Sequence, residues 1–494
     1  MALVLGIDVS TTATKAILVG PDGSVAGIGT ASYEVDVPHP GWSEQDPRHW
    51  FDGAITAIGA ALANAGVAGS EVTAIGLAGQ MHGAVLLDAQ DEPLRPAILW
   101  NDQRTQAECD EIRRRVGLER LIEITGNDAL TGFTAPKLLW VRNNEPDTWG
   151  RVAHVLLPKD YVRLKLTGEH ALDKADGAGT LLFDLAARDW SAVVLAALGL
   201  DRSLFPSTFE GPDITGTITA ATAAATGLRE GTPVVAGGGD QAANGVGVGA
   251  ISEGVVALSL GTSGVLFAPT DRPTIEAGGR VHAFCHAISE RWHLMSVMLS
   301  AAGSLRWYRD VLAPGADFGG LASEAGTVPP GSDGLMFLPY LTGERSPHPD
   351  PHARGAFIGL TIGHDRRHMT RAVLEGVAFG LRDGLDLIVG AGVTPPSVIR
   401  GSGGGLASPV WRQILADVLG ASIVGVGTTE GAAFGAALLA MPAGGLAASV
   451  ERAVEASVSV SPLAEPGPDR EAYAERHAVY RELYPALAPI FPRA

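Results

Sequence analysis

The run Gly6-Ile7-Asp8-Val9-Ser10-Thr11-Thr12 follows an apolar stretch that opens at Leu3, turns, and leads into a second strand-like stretch, Lys15–Val19. A matching run, Leu258-Ser259-Leu260-Gly261-Thr262-Ser263-Gly264, lies 251 residues further on and leads into Val265-Leu266-Phe267. Thr11 falls on Thr262, Thr12 on Ser263 and Asp8 on Ser259. The same strand–turn–strand layout near the start of each half reads as two related domains, joined near residues 245–255. The short-period repeats of solenoids are absent.

Working outward from the first run, Val25–Tyr33 reads as a third strand, set off by the turn Pro21-Asp22-Gly23. Phe51, Ile55, Ile58 and Leu62 recur at helical spacing, and Val72–Leu77 is another short apolar run. The order β-β-β-α-β predicts an α/β fold with a mixed sheet. Towards the C-terminus, Ser457–Arg470 is rich in Ser, Pro and acids and reads as a surface linker, and Ala472–Leu487 as an outer helix.

Composition sets the limits. The chain has 494 residues, enough for two large domains. Charged residues make up 18% and hydrophobic ones 46%, which argues against disorder. The net charge is −18, with no basic face to suggest nucleic acid. Two cysteines, Cys109 and Cys285, are too few for a disulfide framework and fit a reducing cytoplasm. Gly431–Val450 carries no charge over a length that could span a membrane, but Pro442, Gly444 and Gly445 break it. A buried helix of about ten residues followed by a turn is the better reading, and no membrane contact is expected. Glycine is in excess, 64 of 494 or 13% against about 7% in an average protein.

Several segments carry donors or acids where a strand ends. Thr11 and Thr12 offer hydroxyls and N–H groups in one turn, with Lys15 close by, a pattern that can hold phosphate oxygens. Asp8 cannot take phosphate but can take Mg²⁺. A plain capped hairpin is the alternative. Gly261-Thr262-Ser263-Gly264 repeats the donors without the acid, as two loops clamping a triphosphate would. Ala236-Gly237-Gly238-Gly239-Asp240-Gln241 sets a carboxylate after three glycines, either an ordinary acidic turn or a base for an alcohol proton. Gly401–Gly405, running on to Ser408, leaves backbone bare for a flat ring or a phosphate. Met81-His82 follows a strand, and Trp100-Asn101-Asp102-Gln103-Arg104 combines an aromatic wall with polar groups, as a polyol site or a capped helix start would.

Together these pieces resemble the FGGY family of carbohydrate kinases, within the sugar kinase/Hsp70/actin superfamily. Gly132–Asn144 fits the first family signature, and Gly355–Leu360 running on to His368–Glu375 fits the second. Trp42–Pro47, Gln80–Gly83, Leu99–Asp102, Leu157–Tyr161 and Trp292–Ser300 resemble the members that phosphorylate D-xylulose. The resemblance implies a two-lobed, ribonuclease H-like duplication with the site in the cleft. Residues 1–248 would carry the sugar site, base and magnesium loop, and residues 249–494 the nucleotide. It implies Asp240 as general base, Met81 and His82 against the sugar, and Asp8 at Mg²⁺. It places Thr11, Thr12, Gly261 and Thr262 at the phosphates of ATP, and Gly303, Gly404, Gly405 and Ser408 along the nucleotide. The partners would be a small sugar and ATP, with a homodimer as a family-level expectation. A kinase for another polyol (ribulose, gluconate, glycerol or erythritol) and a non-catalytic sugar sensor are the competing readings. Two residues depart from the family pattern. Ser10 stands where glycine is usual, which would strain a turn needing positive φ. Gln241 stands where the xylulose-phosphorylating members commonly carry asparagine, which bears on the choice of sugar.

Overall fold

The structure, a computed structural model, describes residues 2–428 and 430–493. Strands β1 (Leu3–Val9), β2 (Ala13–Val19) and β3 (Val25–Ser32) form an antiparallel meander. After helix α1 (Pro47–Ala65), strand β4 (Val72–Gly79) returns parallel to β1. Strands β5 (Ile214–Thr217) and β6 (Pro233–Val235) complete the far edge, β6 parallel to β4 and β5 antiparallel to β6. Two residues, β7 (Gly238–Gly239), run beside the end of β4. Helix α2 (Asp240–Gly247) follows at once.

The second sheet repeats this plan with strands β8 (Val255–Leu260), β9 (Gly264–Thr270), β10 (His282–Cys285), β11 (Trp292–Met298), β12 (Val398–Ser402), β13 (Ser422–Val426) and β14 (Val460–Ala464). The first sheet runs β5-β6-β4-β1-β2-β3 and the second β14-β13-β12-β8-β9-β11-β10. Pairing senses match position by position: β8 is antiparallel to β9 and parallel to β12, as β1 is to β2 and β4. β7 of the first sheet and β10 of the second have no counterpart. The duplication inferred from the two strand–turn–strand runs is therefore a duplication of sheet topology.

β1 is buried along its whole length except at Asp8, because helices cover both faces. Leu3, Leu5, Ile7 and Val9 pack with Trp50, Ala54 and Ile58 of α1. The opposite face, with Val4 and Ile17, packs against α4 (Gly431–Ala440), which is counted after α3 (Arg366–Gly390) of the second half. The uncharged stretch from Gly431 is thus a ten-residue buried helix, as read from the sequence. Among the described residues no helix is long and apolar enough to cross a membrane.

One sequence expectation is overturned, and a question about Ser10 is answered. Val460–Ala464 lies in the segment read as linker, yet it is an edge strand paired with β13. Its polar, proline-bearing sequence hides this, but an edge strand tolerates Pro462 because one side of it makes no ladder bonds. The following helix, α5, spans Arg470–Leu487 as expected. Ser10 is not in a left-handed conformation, since residues with positive φ do not include it. Its hydroxyl donates to the Ala13 carbonyl at 2.7 Å, so the turn needs no glycine there.

α4 approaches the first sheet and α2 more closely than side chains allow. A Cβ on Gly76 would lie 1.8 Å from the Ala436 carbonyl oxygen, and one on Gly6 2.0 Å from that of Ala433. A Cβ on Gly435 would lie 1.7 Å from the Ala243 oxygen in α2. Gly435→Ala should therefore cost about 2 kcal/mol or more, because backbone rather than a flexible side chain must move. Gly59→Ala, on the open face of α1 with nothing within 4 Å, should instead stabilise by up to about 1 kcal/mol. Urea unfolding midpoints of the two variants check the contrast.

Candidate active site

The site gathers at the carboxyl ends of parallel strands, where ligands bind in open α/β sheets. Asp8 in β1 is level with Ala78 in β4, and Ala78 is level with Gly238 in β7. Gln80, Met81 and His82 continue from β4, and Asp240 opens α2 directly after β7. With strands about 4.8 Å apart, this register brings both carboxylates into one cleft. Each feels it. Burial pushes the Asp240 carboxyl up to about 7, with the charge of Asp8 adding to it. Burial pushes Asp8 up to about 6, opposed by Lys15.

Below the floor lies a buried ionic cluster. The ammonium of Lys159 bonds Asp160 at 2.7 Å and Asp176 at 2.8 Å, and also meets Asp173. Arg163 bonds Asp160 and donates to the Ala236 carbonyl, just ahead of β7. Three acids against two bases leave one excess charge, and burial holds Asp176 well above the usual carboxylate range despite Lys159. A Cβ on Gly239 would lie 2.7 Å from Asp176 Oδ1. The cluster thus supports the short strand that delivers Asp240.

A cavity of about 170 Å³ opens above, lined by Met81, His82, Trp100, Asp240 and Gln241, five of the residues picked out in the sequence. His82 is held at φ 69°. Its Nδ1 donates to the Gly179 carbonyl at 2.7 Å, and its own carbonyl accepts from the buried Lys137 ammonium at 2.9 Å. Lys137 also donates to the Gly132 carbonyl at 2.7 Å, tying two walls of the cavity together. Burial, then the charge of Lys137, keeps the His82 imidazole well below its ordinary pKa. The ring is neutral, and since Nδ1 carries the hydrogen, Nε2 offers a lone pair.

A second cavity, of about 630 Å³, is lined by Gly261, Thr262, Gly404, Gly405 and Ser408, with Phe318 among the apolar walls. Ser408 caps the helix Pro409–Leu419, its hydroxyl accepting from the Trp411 N–H. The loop Gly261–Gly264 separates the two cavities: Gly261 and Thr262 face the larger, Ser263 the smaller. Gly303 abuts this loop, where a Cβ would lie 2.9 Å from the Thr262 oxygen.

Other expected residues lie elsewhere. Asp102 is fully buried and turned from the cavity, its oxygens accepting from the Ser43 N–H at 2.6 Å and the Arg104 guanidinium at 2.7 Å and 2.9 Å. It orders the loop behind Trp100 and is not among the residues that line the cavity. Neither it nor Asn101 caps a helix, since the next one begins at Gln106 after Thr105. Thr11 takes the Trp100 indole N–H at 3.0 Å and donates to Gln80 at 3.2 Å. Thr12 is exposed, and Lys15 pairs with Glu430 at 3.2 Å; neither lines a cavity. Asp8 Oδ1 is a buried carboxylate oxygen that accepts no hydrogen bond among the described residues, a donor set that suits a hard divalent cation. Sequence reading missed His282, Phe284 and Arg345 in the smaller cavity, which have no motif of their own and arrive from the second half.

Fold and site together define a two-lobed phosphotransferase with a sugar-sized cavity beside a nucleotide-sized one. The FGGY carbohydrate kinase N-terminal domain matches residues 3–247 and the C-terminal domain residues 256–444. The chain belongs to the FGGY family of carbohydrate kinases. It is 45% identical over 494 residues to the xylulose kinase of Escherichia coli K12, covering 98% of this chain and 99% of that protein. Among solved structures it is similar to a ligand-bound xylulose kinase from Lactobacillus acidophilus, with TM-score 0.95, 27% identity and full coverage of both chains. It is also similar to a gluconate kinase from Lactobacillus acidophilus, with TM-score 0.94 and 27% identity, covering 100% of this chain and 99% of that one.

A general base works only when ionised, so kcat/KM for the sugar should rise with pH through about 7 and fall below it as Asp240 takes up its proton. A pH–rate profile of kcat/KM from pH 5.5 to 8.5 checks this.

Proposed function

We propose that the protein transfers the γ-phosphoryl group of ATP to the terminal hydroxyl of D-xylulose, giving D-xylulose 5-phosphate and ADP. The observation that carries this reading is Asp240, a carboxylate with its pKa raised into the working range of a base, on the wall of a cavity of five-carbon size. The near full-length likeness to xylulose kinases supports the choice of sugar.

In this reading Asp240 accepts the hydroxyl proton as the sugar oxygen attacks the γ-phosphorus in line. The bond from that phosphorus to the β-phosphate bridging oxygen breaks, and ADP leaves with the electron pair. His82 Nε2 accepts from another sugar hydroxyl and so helps aim the reacting one. The Gly261–Ser263 loop, between the cavities, presents N–H groups and hydroxyls to the phosphates. Asp8 would hold Mg²⁺, which neutralises phosphate charge when bound. Most of the rate acceleration comes from positioning and charge compensation. The proposal extends to a cytoplasmic, homodimeric protein, with gel filtration the check on the dimer.

An ADP-release assay over D-xylulose, D-ribulose, gluconate, glycerol and erythritol tests the substrate. D-xylulose should give the highest kcat/KM, and a higher value for any other member would replace it. Asp240→Asn should lower kcat by roughly 10²–10⁴ with ATP binding retained; near-normal turnover would remove it as the base. Asp8→Ala should raise the Mg²⁺ concentration needed for half-maximal rate, and an unchanged requirement would count against its role.

A further inference from the structure

Arg345 lines the same cavity as Asp240 and His82. Among the described residues its guanidinium makes no hydrogen bond and no ion pair; only its backbone N–H is used, donating to Glu344 Oε1 at 2.7 Å. Burial lowers the Arg345 pKa and the charge of the neighbouring Glu344 opposes this, without an ion pair between the two side chains among the described residues. That carboxylate also accepts from the Leu299 N–H at 2.8 Å, and burial pushes it up to about 8. An arginine cannot shed its proton to escape such a place. Half-buried at the cavity wall with no acceptor of its own, the guanidinium is free to donate to an oxygen bound there.

The position of Arg345 is firm. Next to it, the Ser346 N–H donates to the Val297 carbonyl at 3.0 Å and the Ser346 hydroxyl to the Arg280 carbonyl at 2.6 Å. Burial keeps His82 and His282 below their ordinary pKa, with the charge of Arg345 adding to it in each, and both line the same cavity. His282 is neutral like His82. Its Nδ1 donates to Asn127 Oδ1 at 3.0 Å, an amide oriented by its own donations to Thr125 and Ala283, so its Nε2 also carries a lone pair. The cavity lining is therefore polar in two unlike ways, holding the Asp240 carboxylate together with the Arg345 guanidinium and two imidazole acceptors.

We propose that Arg345 is a specificity-determining residue that grips an oxygen of the open-chain sugar other than the hydroxyl at Asp240, the carbonyl oxygen being the acceptor it would favour. This rests on the reading of the cavity as the sugar site. A guanidinium is a fork of donors and prefers an oxygen acceptor with high negative charge. The same position should therefore accept a carboxylate in place of the ketone, so that a five-carbon sugar acid binds more tightly than the uncharged polyol of equal length.

Calorimetry without ATP, using D-xylonate and xylitol as probes, tests this apart from turnover. The wild type should bind D-xylonate about tenfold more tightly than xylitol, and Arg345→Gln should abolish that preference. In the coupled assay, Arg345→Gln should raise KM for D-xylulose about tenfold and leave KM for ATP within about twofold, with Arg345→Lys recovering part of the loss. Equal binding of acid and polyol by the wild type overturns the proposal, whether or not the variants fold. So does a rise confined to KM for ATP, which would assign the guanidinium to the transferred phosphate. If D-xylulose proves not to be a substrate, the functional reading fails while the acid–polyol comparison still decides the role of Arg345.

Discussion

Everything in this molecule hangs on the seating of one small-residue helix. Gly431–Ala440 belongs by sequence to the second half, but it lies against strands of the first sheet and against the helix that begins with Asp240. The contact is made backbone to backbone through Gly6, Gly76, Gly247 and Gly435. Bulkier residues would push the helix away, and Asp240 would shift with its own helix relative to Asp8. Part of the glycine excess is thus explained by close packing between the halves. Gly239 and Gly303 act in the same way, by yielding room to Asp176 and to the Gly261–Gly264 loop.

Charge is handled locally. A chain at −18 repels a triphosphate at long range, so the cleft must supply its own compensation. Asp8 and Asp240 share one end of the first sheet, and burial together with their mutual repulsion raises Asp240 into the range of a working base. Lys159 and Arg163 gather three more acids beneath this floor, so the strand that leads into Asp240 is braced by ion pairs away from solvent. In the smaller cavity the signs are mixed, with Arg345 and two neutral imidazoles sharing the lining with Asp240.

The duplication was legible because it repeats a local pattern, an apolar strand, a turn of small donors and a second strand, and that pattern is short-range. Asp240, Met81 and His82 were legible for the same reason, as was the buried helix after Glu430. Asp102 misled because an acid beside Trp100 looks like a polyol contact, whereas Arg104 two residues on captures it. Val460–Ala464 misled because edge strands lack the apolar alternation that marks central ones. His282, Phe284 and Arg345 carried no signal at all, since their place in the cavity depends on meeting residues far away in the chain, such as Met81 and His82.

The sequence by itself determined the two-lobed α/β plan, the family and the main acids, because each rests on contiguous residues whose backbone preferences and chemistry are local. Only the tertiary structure decided which polar side chains face the substrate and which are consumed in the scaffold. That choice depends on partners brought together across the sheets: Arg104 and Ser43 withdraw Asp102, Glu430 engages Lys15, and the lack of any such partner leaves Arg345 exposed to the cavity. A side chain's role here is set by what is left unpaired after the fold has closed, and no stretch of sequence contains that balance.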